Sequence, residues 1–237
     1  MRWAEITDIG LVRSTNEDSL CVSPQIGLFA VADGMGGHQA GEVASFTALR
    51  HLEEELARML AANETPDAAL LNAVAVANRR VYEMAVGNRQ LKGMGTTITA
   101  CLYQDGVLFV ANVGDSRAYL CRSGAILQLT EDHSLVRELV KNGGITEQEA
   151  AQHPKRNVLT RALGTEESVQ VDLKPCAMLP GDRVLLCTDG LSGYLGAEEI
   201  QAVVSGAGDL ELVLQTLLKR ALDAGGADNV TIIVVEF

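Results

Sequence analysis

The sequence predicts an α+β fold, on three observations. Short apolar runs in the middle of the chain are joined by connections of two or three residues. Two long stretches nearer the N-terminus repeat apolar residues at three and four positions, as helices do. Further apolar runs begin or end at an aspartate beside glycine or asparagine. Connections so short are expected to join antiparallel neighbours, because a parallel pair needs a crossover of a dozen or more residues. That disfavours a doubly wound dinucleotide fold and implies helices packed in layers on antiparallel sheets.

The elements follow in chain order. The polar run Arg13-Ser14-Thr15-Asn16-Glu17-Asp18 precedes a short strand. Gly27-Leu28-Phe29-Ala30-Val31-Ala32 is then a buried strand that stops at the turn Asp33-Gly34. Leu49, Leu52, Leu56 and Met59 mark the apolar face of one helix. Leu70, Val74, Ala77, Val81 and Met84 mark a second, started by Thr65-Pro66-Asp67 and closed by Gly87-Asn88. Strands at 97–102, 107–113, 117–121 and 125–129 are linked by Gln104-Asp105-Gly106, Gly114-Asp115-Ser116 and Ser123-Gly124. Residues 133–164 are more polar and helical in pattern. A buried strand at 183–188 ends at Asp189-Gly190, Leu210, Leu214, Leu217 and Ala221 mark a last helix, and 230–235 a last strand.

Composition narrows the function. A chain of 237 residues can bury about 70% of its unfolded surface, so it needs no disulfide or metal merely to fold. With 47% apolar and 21% charged residues it is globular rather than disordered. Nineteen Lys and Arg against 31 Asp and Glu give a net charge of -12, which repels nucleic acid and anionic lipid. No apolar run approaches the ~18 residues of a membrane span, and no signal-peptide core follows Met1-Arg2-Trp3-Ala4-Glu5. Five scattered cysteines read as reduced thiols of a cytoplasmic protein, not as a disulfide frame or zinc site. Linkers, repeats and low-complexity segments are absent from the sequence, so 1–237 is read as one domain.

The chemistry concentrates in aspartates at strand ends: Ala32-Asp33-Gly34, Val113-Gly114-Asp115, Thr188-Asp189-Gly190 and Ala227-Asp228-Asn229. A rigid strand places such a carboxylate, and an adjacent glycine allows close approach of backbone or ligand. Converging carboxylates without basic partners suit hard divalent cations such as Mg²⁺ or Mn²⁺. The same pairs are ordinary turn formers, so these residues alone leave the turn and metal readings open. Arg13 could meet a phosphate oxyanion beside such a site, or lie on the surface. The loop Asp33-Gly34-Met35-Gly36-Gly37-His38 has neither the Gly-Lys-Ser/Thr ending of a P-loop nor the spacing of a dinucleotide fingerprint.

Taken together, eight ordered motifs resemble the metal-dependent protein Ser/Thr phosphatases of the PPM (protein phosphatase 2C-like) family, in its compact bacterial form. They are Arg13 with Asn16-Glu17-Asp18, the run from Val31 to His38, Gly93-Met94-Gly95-Thr96-Thr97 and Asn112-Val113-Gly114-Asp115-Ser116-Arg117. Leu129-Thr130-Glu131-Asp132-His133-Ser134, the run from Asn157 to Gly164, Thr188-Asp189-Gly190-Leu191 and Gly226-Ala227-Asp228-Asn229-Val230-Thr231 complete the series. The resemblance implies an α-β-β-α sandwich, with two antiparallel sheets, helices outside and a metal centre at one edge. By analogy Asp33 bridges two tightly bound Mn²⁺ or Mg²⁺ ions, the Gly34 carbonyl joins the first, and Asp189 and Asp228 hold the second. Asp115 with Asp189 holds a third, weaker ion; Glu17 and Asp18 position metal-bound waters, and Arg13 binds the substrate phosphate. Residues of about 133–159 form a flap over the site. A metal-activated water then attacks phosphorus in line, with no phosphoenzyme.

The implied substrates are phosphoserine and phosphothreonine in proteins, with a bacterial Ser/Thr kinase as the opposing partner. One departure concerns the general acid: animal members carry histidine where this chain has Met35, which leaves His38 or a metal-bound water as candidates. His51, His133 and His153 read as structural or solvated. A regulator of a sigma-factor antagonist system would keep the fold but is expected to carry a fused sensor domain. A pseudophosphatase would have lost a metal aspartate, and Asp33, Asp189 and Asp228 are all present.

Overall fold

The computed structural model describes residues 1–36, 40–206 and 208–237. The chain opens with strands β1 (Arg2–Asp8), β2 (Asp18–Ser23) and β3 (Leu28–Met35), then helices α1 (Ala40–Ala61) and α2 (Pro66–Gly87). Strands β4 (Gly95–Thr96), β5 (Ile98–Gln104), β6 (Val107–Val113), β7 (Arg117–Arg122) and β8 (Ala125–Gln128) follow. The segment 133–159 holds α3 (Leu135–Lys141) and α4 (Glu147–Ala151). The chain ends with β9 (Asp172–Ala177), β10 (Arg183–Cys187), α5 (Asp189–Ser192), α6 (Ala197–Val204), α7 (Leu210–Asp223) and β11 (Val230–Glu236).

Two antiparallel sheets result, one in the order β1-β11-β10-β7-β8 and the other β2-β3-β5-β6-β9, with β4 paired to β3. Alternation along each strand explains the layers. Leu28, Ala30 and Ala32 of β3 pack against Leu52, Leu56, Leu70 and Val74 of α1 and α2, while Phe29 and Val31 turn the other way. There they meet Ala118, Leu120, Val184, Leu186 and Ile233 of the opposite sheet. The outer face of that second sheet, with Leu185, Ile232 and Val234, is covered by Leu191 of α5, Ile200 of α6, and Leu214 and Leu217 of α7. Strands covered on both faces carry no polar alternation, which is why they read as unbroken apolar runs. The arrangement is an α-β-β-α sandwich, as the resemblance implies. No described helix is long and apolar enough to cross a membrane.

Several expectations are corrected. Strand β3 does not stop at Asp33-Gly34 but runs through it to Met35, because Asp33 pairs with Asp18 on one side while Gly34 and Met35 pair with Thr96 and Gly95 on the other. The link Gly114-Asp115-Ser116 does not join neighbours in a sheet: it carries the chain from β6 in one sheet to β7 in the other. Asp189-Gly190 is not a plain turn but the start of the one-turn helix α5. On α2 the buried stripe ends at Ala85, and Met84 lies outside it. The edge strands β1 and β9 and the helix α6 were not foreseen; both strands have largely exposed or half-exposed side chains, so no apolar run announces them.

Gly190 shows how tightly the end of β10 is fitted. A Cβ there would lie 1.8 Å from the Asn229 carbonyl oxygen, between α5 and the start of β11. Backbone cannot yield to that overlap without parting the two elements. Gly190→Ala is therefore expected to cost about 3 kcal/mol or more in denaturant unfolding; a loss within about 0.5 kcal/mol would show that the junction is loose.

Candidate active site

The aspartates converge at one end of the sandwich because five backbone segments bring them there. Asp18 begins β2 directly opposite Asp33 on β3. Asp189 follows β10 and Asp228 precedes β11, which are neighbours in the other sheet. Asp115 stands on the crossing between the sheets. Gly114 makes that crossing with φ +108, and a Cβ on it would lie 2.5 Å from the Thr97 side chain, so the turn requires glycine.

Hydroxyl groups bind the ends together. Thr188 Oγ1 donates to Asp18 Oδ2 at 2.8 Å, linking the two sheets, and accepts from the Thr231 N–H at 3.1 Å. The Asp33 N–H donates to Thr97 Oγ1 at 2.9 Å, and that hydroxyl meets Ser116 Oγ at 2.7 Å. Asn229, buried at the head of β11, accepts from the Glu17 N–H at 2.8 Å and donates to the carbonyls of Ile9 and Thr15 at 3.0 Å. It therefore pins both ends of the loop that carries Arg13. Within that loop Arg13 Nη2 donates to Asp228 Oδ2 at 2.8 Å, so the guanidinium expected to meet phosphate rests on a carboxylate of the cluster. Sequence reasoning named the aspartates but missed Asn229, Thr188, Thr97 and Ser116 as their supports. The adjacency of Asp228-Asn229 and Thr188-Asp189 was the available signal.

Electrostatics follow from this crowding. Removal from water, then the charges of Asp18, Asp189, Asp115 and Asp228, holds the Asp33 carboxyl well above its ordinary range. Loss of solvent raises Asp115 to about 7, with Asp189 adding to the effect. Asp18 is likewise raised by burial to about 7, although hydrogen bonds from Thr231 and Thr188 favour its anion. Asp189 is raised by burial, then by the charge of Asp228, with the neighbouring Asp33 carboxyl acting in the opposite sense. Glu17, half-buried beside this group, is raised by desolvation.

Among the described residues no three or more His, Cys, Asp or Glu side chains are grouped so as to hold a metal ion. The aspartate set is open and all-oxygen, of the kind that hard ions complete with water. Asp189 Oδ1 is buried without a hydrogen-bond partner, which is costly for a carboxylate oxygen unless a cation meets it. The residues therefore fit divalent cations. A cleft of about 1250 Å³ runs from Asp115 and Asp189 beneath α3 and α4, past Arg156 and Lys174. His38, a candidate general acid, lies outside the described residues.

The family model for protein phosphatase 2C matches residues 5–170. The serine/threonine phosphatase stp of Listeria innocua is 38% identical over 236 residues, covering 97% of this chain and 93% of that protein. The crystal structure of the Mycobacterium tuberculosis serine/threonine phosphatase PstP/Ppp superposes with a TM-score of 0.89 at 40% identity, covering 100% of this chain and 98% of that one. The catalytic domain of PstP in complex with two manganese ions superposes with a TM-score of 0.87 at 37% identity, covering 99% and 97%. The chain belongs to the protein phosphatase 2C family.

The carboxylate cluster sets a pH dependence for metal-free protein. A carboxyl whose folded pKa is raised gives stability that is complete below its unfolded value of about 4 and is lost as pH rises through the folded one. Asp18 and Asp115, both near 7, place that loss between about pH 4 and pH 7. In EDTA the melting temperature should fall by about 5 °C or more across that interval, and Mn²⁺ should remove the fall at pH 8. A flat profile in EDTA would mean that the carboxylates do not repel one another in the folded chain.

Proposed function

We propose that the chain is a metal-dependent protein phosphatase that hydrolyses phosphoserine and phosphothreonine in proteins. The observation that carries this reading is the aspartate cluster, with its unpartnered Asp189 Oδ1, beside the guanidinium of Arg13. Asp33, Asp189 and Asp228, with the Gly34 carbonyl, would hold two Mn²⁺ or Mg²⁺ ions, and Asp115 would share a third, weaker one with Asp189. Bound there, the ions supply Lewis acidity that activates water and neutralises phosphoryl charge.

The protein's own groups then have distinct tasks. Glu17 and Asp18 orient water at the edge of the cluster, Asp18 being held by the Thr188 hydroxyl. Arg13 would exchange one anion for another: the guanidinium that rests on Asp228 would fork onto phosphate oxygens once that carboxylate is engaged in holding an ion. The anchored loop ends limit how far that arginine must travel. Met35 has no proton to give the leaving oxygen, and His38 remains a candidate for that step.

We also take residues 1–237 as one domain with 133–159 as its flap, a reading supported by the three apolar layers to which both halves of the chain contribute. The five free cysteines suit a reducing compartment, so we place the protein in the cytoplasm, where it would oppose a Ser/Thr kinase.

Phosphate release from a phosphothreonine peptide should require Mn²⁺ and cease in EDTA; full turnover by protein shown free of metal would overturn the reading. Arg13→Ala should keep its metal ions yet raise KM for phosphopeptide, costing about 1.5–3 kcal/mol in kcat/KM. Unchanged kinetics would return Arg13 to a role at the surface.

A further inference from the structure

One buried residue outside the carboxylate cluster, by its backbone and its ring, ties the Asp115 turn to both ends of the flap segment. His133 is 6% exposed. Its Nδ1 lies 3.1 Å from the Gly114 nitrogen, and its own N–H donates to the Gly114 carbonyl at 2.9 Å. Nδ1 accepts from Gly114 only with a lone pair, which leaves the ring proton to Nε2, beside Arg161 Nη1 at 3.2 Å. Nε2 stands 3.2 Å from Asp172 Oδ2 at the start of β9, and Arg161 Nη1 holds the other oxygen of that carboxylate at 2.8 Å. The His133 carbonyl accepts from the Thr160 N–H at 2.9 Å, next to a bridge between Ser134 and Leu159. Both ends of the 133–159 segment thus meet at His133, whose backbone N–H holds the carbonyl of the peptide immediately before Asp115 and whose ring holds the N–H of the peptide before that.

Glycine at 114 permits the crossing but does nothing to fix it, since its backbone is the freest of any residue. The shape of the turn must be imposed by neighbours. Arg117 grips Asp132 through three hydrogen bonds of 2.6–3.1 Å, and Asn112 Nδ2 reaches the Glu131 carbonyl at 3.1 Å, so the strand ends flanking the turn are secured. Of the two peptides that meet at Gly114, the first is secured on its N–H by the His133 ring and the second on its carbonyl by the His133 backbone N–H. With both planes held, the two dihedrals of the glycine between them are fixed, and with them the direction of the carboxylate one residue along.

We infer that His133 is a positioning residue: its ring completes the clamp on the two peptides that flank Gly114, and through them fixes the direction of the Asp115 carboxylate from the base of the flap segment. The inference rests on the reading of Asp115 as a ligand of the weaker ion. It acts through Gly114 and asks nothing of His133 toward substrate.

Two amide side chains separate the halves of the imidazole. Asn sets its oxygen near the place of Nδ1 and can still accept from Gly114; Gln reaches the place of Nε2 and keeps Asp172 instead. Mn²⁺ titration calorimetry on metal-stripped wild type, His133→Asn, His133→Gln and Asp115→Ala reads the ions directly, with circular dichroism melts confirming the fold. Every variant should keep the two tight ions. His133→Gln and Asp115→Ala should weaken the third by about tenfold or more, the usual effect of losing a group that orients a ligand, while His133→Asn stays within about threefold of wild type. Should His133→Gln not fold, His133→Ala takes its place with the same expected loss. If Asn and the other replacement behave alike while Asp115→Ala loses the ion, His133 only supports the fold and the inference is wrong. Retention of the third ion by Asp115→Ala would remove the assignment of Asp115 and this inference together.

Discussion

Bringing Asp18, Asp33, Asp115, Asp189 and Asp228 within electrostatic reach of one another costs free energy that carboxylates cannot recover among themselves. Burial disfavours the ionised forms of Asp18, Asp33, Asp115 and Asp189, and the charges of their neighbours in the group add to it. The group can persist only on a scaffold stiff enough to prevent its members from moving apart. The covering of both sheets supplies that stiffness: the strand ends cannot splay without opening either the layer between the sheets or one of the helix-covered faces.

The supports chosen at the cluster are short and uncharged. Thr97, Ser116, Thr188, Thr231 and Asn229 fix backbone and carboxylates by hydrogen bonds and introduce no cation that would compete with metal ions. The full positive charges stand at the margin. Arg13 touches Asp228 from a loop, and Arg117 is committed to Asp132 on the far side of the Asp115 turn. A lysine or arginine set permanently among the aspartates would lower their repulsion and also their affinity for divalent ions. The arrangement retains the repulsion instead, and the unpartnered Asp189 Oδ1 is its clearest trace.

Much of this was legible in the sequence because the constraint is local. A carboxylate at the end of a buried strand, next to a residue small enough for close approach, is a pattern of three or four positions, and Asp33, Asp115, Asp189 and Asp228 all show it. What escaped depends on partners far away in the chain. Asn229 acts through Ile9 and Thr15, and Thr188 through Asp18, pairings that no spacing near either residue reveals. The link Gly114-Asp115-Ser116 was misjudged for a related reason: its length limits how far the chain travels but not which sheet it enters. At Met84 the steps of three and four from Val81 were both open, and packing settled on Ala85. Strands β1 and β9 lie on sheet edges, where half-exposed side chains remove the apolar signal altogether.

The crossing from β6 to β7 shows why the fold and the site cannot be separated. A link within one sheet would have kept Asp115 beside its own strand pair; a link between sheets puts it at the mouth of the sandwich, facing Asp189 of the second sheet. The two sheets are held in that relation by the apolar layer between them, with Phe29, Val31 and Val110 meeting Leu120, Val184, Leu186 and Ile233. Sliding one sheet along the other would therefore change the spacing of carboxylates contributed by both. Close packing resists such sliding, since an interdigitated layer must lose many small contacts before it can shift. Core residues far from any phosphate thereby set the distances on which the carboxylates depend.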